Sequence, residues 1–131
     1  RQGMNWLEKQ AKEFMERRNM STITATEYQE KAAETAIFPK QKALEYITLG
    51  LTGEAGEIAN KVKKLIRDGA DEETLEQKKI EIGYELGDVL WYCAMLAREV
   101  DINLGHVMEK NIEKLHSRKE RGTLGGSGDN R

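Results

Sequence analysis

Two unbroken apolar stripes of helical period constrain this chain more than any other feature. Between residues 41 and 68, Leu44, Ile47, Leu51, Ala55, Ile58, Val62 and Leu65 step by three or four. That spacing lines one face of a helix. A second run over 72–99 repeats the pattern with Ile82, Leu86, Val89, Leu90, Cys93 and Ala97, and Val100 continues it. Between them "RDGADEE" ends one helix at Gly69 and opens the next, with Asp71 placed as its N-cap. Nothing in either run alternates with the period of a strand.

The flanking segments fit the same class. Ser and Thr residues suited to N-capping open a helix at about 24–36, and Pro39 disfavours helix at Phe38. After "DINLGH", Asn103 is placed to cap a further helix ending near Gly122, with Leu104, Val107, Met108, Ile112 and Leu115 expected to be buried. Residues 1–23 read as an N-terminal extension of helical character, with Trp6, Leu7, Ala11, Phe14 and Met15 on one face. Arg1-Gln2-Gly3 reads as an internal start or an added leader, and Met20 would serve equally as an initiator. Residues 123–131 form a glycine-rich tail without periodicity, either disordered or packed over a ligand or partner. The expectation is an all-α, antiparallel four-helix-bundle-like domain over 24–122, with short loops making sequential helices neighbours.

Composition narrows the function. A net charge of −2 over 131 residues gives no electrostatic reason to bind a nucleic-acid polymer. The single cysteine, Cys93, excludes an internal disulfide and fits a reducing, cytoplasmic setting. No run approaches the roughly 18 apolar residues needed to span a bilayer. Cys93 itself falls on a stripe and is expected in the core.

The informative charges sit on the flanks of the stripes. At about 100° per residue, Glu54, Lys61 and Glu57 lie about 60°, 80° and 120° to one side of Leu51. On the next helix Glu85, Tyr92 and Asp88 lie about 100°, 120° and 160° from Leu86, on the same side. On the last, Asn111, Arg118 and Lys114 lie about 60°, 80° and 120° from Met108, again on that side. Three helices thus present polar groups along one border of the core. Acidic residues beside an apolar stripe are also ordinary surface decoration, and Glu57–Lys61 is a common i,i+4 pair. Ala55, Gly56, Gly83 and Gly87 add small residues that allow either close helix packing or room for a ligand, since glycine inside a helix costs about 1 kcal/mol.

Four carboxylates crowded together repel one another unless a cation neutralises them. Oxygen-only ligands select a hard ion such as Mg²⁺, with Mn²⁺ a possible substitute. From residue 110 onward six Lys and Arg face three acids, a local excess of three positive charges. Such cations suit phosphate groups, and metal plus cationic flank suggests phosphoanhydride hydrolysis. Other readings carry less. His106 and His116 suit the surface or a cap. Glu113-x-x-His116 matches a di-iron motif that needs a second copy facing inward, which the chain lacks. Trp91 suits packing, Tyr92 could meet a nucleobase, and Gln29 and Phe38 are weaker pocket candidates.

Glu54-Ala-Gly-Glu57, twenty-seven residues, then Glu85-Leu-Gly-Asp88 resembles the E-x-x-E … E-x-x-D signature of the MazG-like nucleotide pyrophosphohydrolases. "LGLTGEAGEIANKVKK", "ELGDVLWY" and "SRKERGTLGGSGDNR" extend the resemblance over residues 24 to 131. The resemblance implies an all-α enzyme converting a nucleoside triphosphate to its monophosphate and pyrophosphate, with water attacking the α-phosphorus. It implies Mg²⁺ ligation by Glu54, Glu57, Glu85 and Asp88, one glutamate also polarising the water. Lys114 and Arg118 would bind phosphate, with Asn111 and Lys61 in the same site. It further implies a homodimer or homotetramer with sites near subunit boundaries. The gap between the motifs is long for the family and implies an elongated connection between the two long helices. A relative restricted to dUTP or dCTP, or a non-catalytic helical interaction module, are the alternatives.

Overall fold

A computed structural model describes residues 5–131, and the Arg1-Gln2-Gly3 start lies outside them. The described residues are all-helical, without a strand: α1 Trp6–Glu16, α2 Ala25–Ala33, a 3₁₀ turn Lys40–Lys42, α3 Ala43–Asp68, α4 Glu72–Glu99 and α5 Leu104–Glu120. Side chains satisfy the first amides of four of these helices. Asn5 and Glu8 form a reciprocal capping box on α1, and Thr24, Asp71 and Asn103 accept from the amides of Glu27, Thr74 and His106. Gly69 ends α3 at φ 69°, a conformation that favours glycine. α2 stops at Ala33, before the 36 read from sequence, and Thr35 turns its hydroxyl back onto the Ala32 carbonyl at 2.8 Å.

α3 and α4 form a tight antiparallel hairpin. Lys61 lies against Glu81 and Glu85, Glu54 against Glu85, and Gly50 beneath Tyr92, so numbers rise along one helix as they fall along the other. The elongated connection implied by the long motif gap is not seen. Only Gly69–Asp71 separate the helices, and the extra residues lengthen the helices themselves.

α2 lies on α4, α5 packs on both of these, and α1 rests on α4 alone. Ile47 and Met95 are fully buried at the centre, surrounded by Ala32, Ala43, Ala94, Ala97 and Leu104. Alanines at these crossings let the helix backbones approach closely. α1 is fixed by Phe14, whose ring covers Gly83 and lies 5.3 Å from that of Tyr84.

α5 makes no close backbone approach to α3. Of the α5 residues expected to be buried only Leu104 is, while Val107, Met108, Ile112 and Leu115 are exposed. The stripes of α3 and α4 are likewise only partly covered, for Leu44, Val62, Leu86, Leu90 and Val100 remain exposed. Cys93 is half-buried rather than central, and burial raises its thiol pKa. The cause is common to all three helices: two long helices with three shorter ones attached provide too few faces to cover every stripe. No helix among the described residues is long and apolar enough to cross a membrane.

Candidate active site

The α3/α4 hairpin brings three of the four acidic candidates together. Glu54 comes from α3, and Glu85 and Asp88 come from successive turns of α4. One oxygen from each lies within 4.8 Å of the others. Glu57, one turn beyond Glu54, is exposed and does not join this group. Its charge still reaches Glu54.

The electrostatics record the crowding. Partial burial is the largest cause raising the Glu54 pKa above 4.5, followed by a hydrogen bond with Glu85 and the charges of Asp88, Glu85 and Glu57. Burial, then Glu85, raises Asp88 above 3.8. Lys61 stands at the edge, its Nζ 4.0 Å from both Glu85 Oε1 and Glu81 Oε2. Glu81 is held more closely by Lys78 at 2.9 Å, which lowers its pKa.

Beside the carboxylates opens a cleft of ≈ 340 Å³ walled by Phe38, Tyr46, Trp91 and Tyr92, with Glu54 and Asp88 at one side. The rings brace one another. Phe38 stacks on Tyr46 at 5.3 Å, and Trp91 meets Phe38 and Tyr92 edge-on at 6.3 and 5.0 Å. Trp91 Nε1 donates to Thr35 Oγ1 at 2.8 Å, which fixes the indole plane. Burial first, then Tyr46, Glu54 and Asp88, raises the Tyr92 phenol. Burial, then Asp88, does the same to Tyr28, whose hydroxyl donates to the Gly87 carbonyl at 3.4 Å.

The glycines divide into two kinds. Gly53, Gly56 and Gly87, which flank the acidic residues, face open space, so close helix packing does not account for them. Gly50 and Gly83 do lie beneath rings, of Tyr92 and Phe14. A methyl group at Gly50 would run into the Tyr92 ring. Gly50→Ala is therefore expected to displace Tyr92 and to destabilise the fold by about 1–3 kcal/mol, outweighing the roughly 1 kcal/mol that alanine gains in helix propensity. Urea denaturation and tyrosine fluorescence check this.

The candidates of the last helix lie on α5, which packs on α2 and α4. Asn111 and Lys114 are exposed on α5. Arg118 is buried beneath the C-terminal tail, where its guanidinium donates to the Asp129 carbonyl at 3.0 Å. His106 and His116 are exposed. Gln29 is a structural clamp: its amide donates to the Ala94 and Ile102 carbonyls and accepts from the Leu104 amide. Phe38 does line the cleft. Sequence reasoning missed Tyr46, Gly50 and Thr35. The signal for two of them was present, since Tyr46 and Gly50 project about 140° and 100° from Leu51 on the Glu54 side of the helix.

Comparison with known proteins agrees with this arrangement. No solved structure matches the chain. It is 49% identical over 110 residues, covering 79% of its own length and 96% of the relative's, to the Gene 37 protein of Mycobacterium phage L5. The model of the MazG nucleotide pyrophosphohydrolase domain matches residues 42–123, the stretch that holds both acidic motifs and the hairpin joining them. The chain is a member of the MazG nucleotide pyrophosphohydrolase family.

Proposed function

We propose that this protein is a Mg²⁺-dependent nucleoside triphosphate pyrophosphohydrolase, releasing a nucleoside monophosphate and pyrophosphate by attack of water on the α-phosphorus. The observation that carries the reading is the convergence of Glu54, Glu85 and Asp88 beside an aromatic cleft. Three carboxylate oxygens and no nitrogen or sulfur ligand fit a hard dication, and Glu57 would be drawn in as a fourth ligand. Such an ion would supply charge neutralisation for the phosphates and a more acidic water. Mn²⁺ fits the same ligands.

The protein's own groups divide the remaining work. Glu54, with its raised pKa, is suited to accept the proton of the attacking water. Lys61 offsets the negative charge beside Glu85 and limits repulsion of the incoming phosphates. Tyr92 and the other rings offer flat apolar faces to a base. Lys114, Arg118 and Asn111 are proposed for the phosphates. α5 packs on α4, which carries Glu85 and Asp88, so these groups would come to the phosphates along α4 or from a second copy. The apolar residues left exposed on α3, α4 and α5 favour self-association, as a homodimer or homotetramer. The free cysteine and the absence of a membrane-spanning helix among the described residues suit a cytoplasmic setting.

The test is incubation with each of the eight common NTPs and dNTPs in Mg²⁺, scoring monophosphate and pyrophosphate. Monophosphate from several nucleotides supports the reading, and product from dUTP or dCTP alone narrows it to the restricted relative. No monophosphate from any nucleotide would refute it.

A further inference from the structure

The C-terminal tail folds back on the end of α5 through three arginines. Arg118 donates to the Asp129 carbonyl at 3.0 Å, and Arg121 to the Arg131 carbonyl at 3.1 Å and to Ser117 Oγ at 3.1 Å. Arg131 reaches back to the carbonyls of Gly128 and Leu124. The Thr123 amide closes onto the Arg118 carbonyl at 2.8 Å, and Gly122, Gly126 and Gly128 turn the chain at positive φ. Three guanidinium groups, from the end of α5 and from the last residue, thereby reach one short loop. Among the described residues no side-chain carboxylate lies within ion-pair reach of any of them.

That arrangement is costly as it stands. Like charges held together repel, and a desolvated charge needs a partner of opposite sign. Arg118 is only 6% exposed, yet it spends a single N–H, on a neutral carbonyl. Arg131 Nε and Thr123 Oγ1 are buried without any hydrogen-bond partner. A cationic cluster with free donors and a glycine-rich backbone around it suits a polyvalent oxyanion, which takes several charge-assisted hydrogen bonds at once.

We infer that the loop Gly122–Arg131, with Arg118, Arg121, Arg131 and Thr123, is an anion clasp for a diphosphate group. Arg121 and the residues past Thr123 thereby join the phosphate role proposed for Arg118, although the family's domain model ends at residue 123. The inference rests on the proposed function only for the source of the diphosphate, which is either the released pyrophosphate or the nucleotide's own phosphates.

The test is calorimetric titration of the full chain with pyrophosphate in EDTA at constant ionic strength. Saturable binding is expected. Arg121→Met/Arg131→Met, which leaves the buried Arg118 in place, should weaken it by about tenfold or more at unchanged helical content. Asp88→Asn should leave it intact, because the carboxylate cluster is not part of the clasp. Undetectable binding by the wild type, or equal binding by the double variant, would overturn the inference. Competition by a triphosphate analogue with a non-hydrolysable α–β bridge assigns the clasp to the nucleotide, and its absence to free pyrophosphate. Pyrophosphate binding without turnover of any nucleotide would remove the proposed function and leave the clasp standing.

Discussion

Asp88→Asn should lower nucleotide turnover by about 10³-fold or more while leaving the helical content unchanged. The substitution turns one of three carboxylates whose oxygens lie within 4.8 Å of each other into a neutral amide of the same shape. Losing about 4 kcal/mol of transition-state stabilisation corresponds to about 10³ in rate, which is in the range expected when a cation's hold on a phosphoryl group is broken. Asp88 stands at the exposed side of the cluster and fills no core space, so packing should not suffer. Circular dichroism and a pyrophosphate-release assay on the same sample separate the two effects. Turnover near the wild-type rate would show that the cluster does not hold the reacting phosphate.

The same substitution has the opposite effect on stability when no metal is bound. Glu54 and Asp88 both have pKa values raised above 4.5 and 3.8. A carboxyl whose pKa is higher in the folded state favours folding fully below its unfolded value. That contribution is lost as pH rises through the folded value. The metal-free protein should therefore gain stability as pH is lowered toward this window. Near neutral pH, Asp88→Asn should raise its melting temperature by relieving repulsion. Mg²⁺ should stabilise the wild type at neutral pH and do much less for the variant.

Much of this was legible in the sequence because helices project residues in a fixed order. The stripes from Leu44 to Leu65 and from Ile82 to Ala97 specify α3 and α4, and Asp71, Gly69 and Asn103 mark helix ends where the structure has them. Once the two helices are antiparallel neighbours, Glu54, Glu85 and Asp88 share a border. What the sequence does not carry is which faces meet which neighbours. Val107, Met108, Ile112 and Leu115 have the spacing of a buried stripe but are exposed in the single chain. Periodicity records that a face is to be covered and is silent on whether the cover is the same chain. For the same reason Arg118 projected toward the Asn111 and Lys114 flank, yet it is spent on a loop eleven residues away. Glu57 shows a finer limit, since a pair spaced i,i+3 shares a face without both side chains reaching the same point.

Gln29→Met should destabilise the fold by about 3 kcal/mol or more, a larger effect than its chemistry in sequence would suggest. The Gln29 side chain is buried and joins three helices at one point. Its Nε2 donates to the Ala94 carbonyl at 3.3 Å and to the Ile102 carbonyl at 3.0 Å, and its Oε1 accepts from the Leu104 amide at 2.9 Å. The Leu104 amide is the first of α5 and has no carbonyl of its own helix to bond, so Gln29 caps α5 from a distance. Methionine fills the same volume but leaves the Ile102 carbonyl and the Leu104 amide without this partner, while the Ala94 carbonyl keeps its bond within α4. Each buried donor or acceptor left without a partner costs about 1–3 kcal/mol. Gln29→Glu keeps the acceptor but sets a carboxylate against two carbonyls, and should be no better. The exposed neighbour Glu30→Gln serves as control, with a change within about 0.5 kcal/mol. Urea denaturation measures all three. A loss of under about 1 kcal/mol for Gln29→Met would mean that water or local rearrangement replaces the clamp. The consequence also reaches the cleft, because α2 leads directly into Thr35 and Phe38. Thr35 fixes the Trp91 indole, so a loosened α2 should shift tryptophan emission to the red below the unfolding transition.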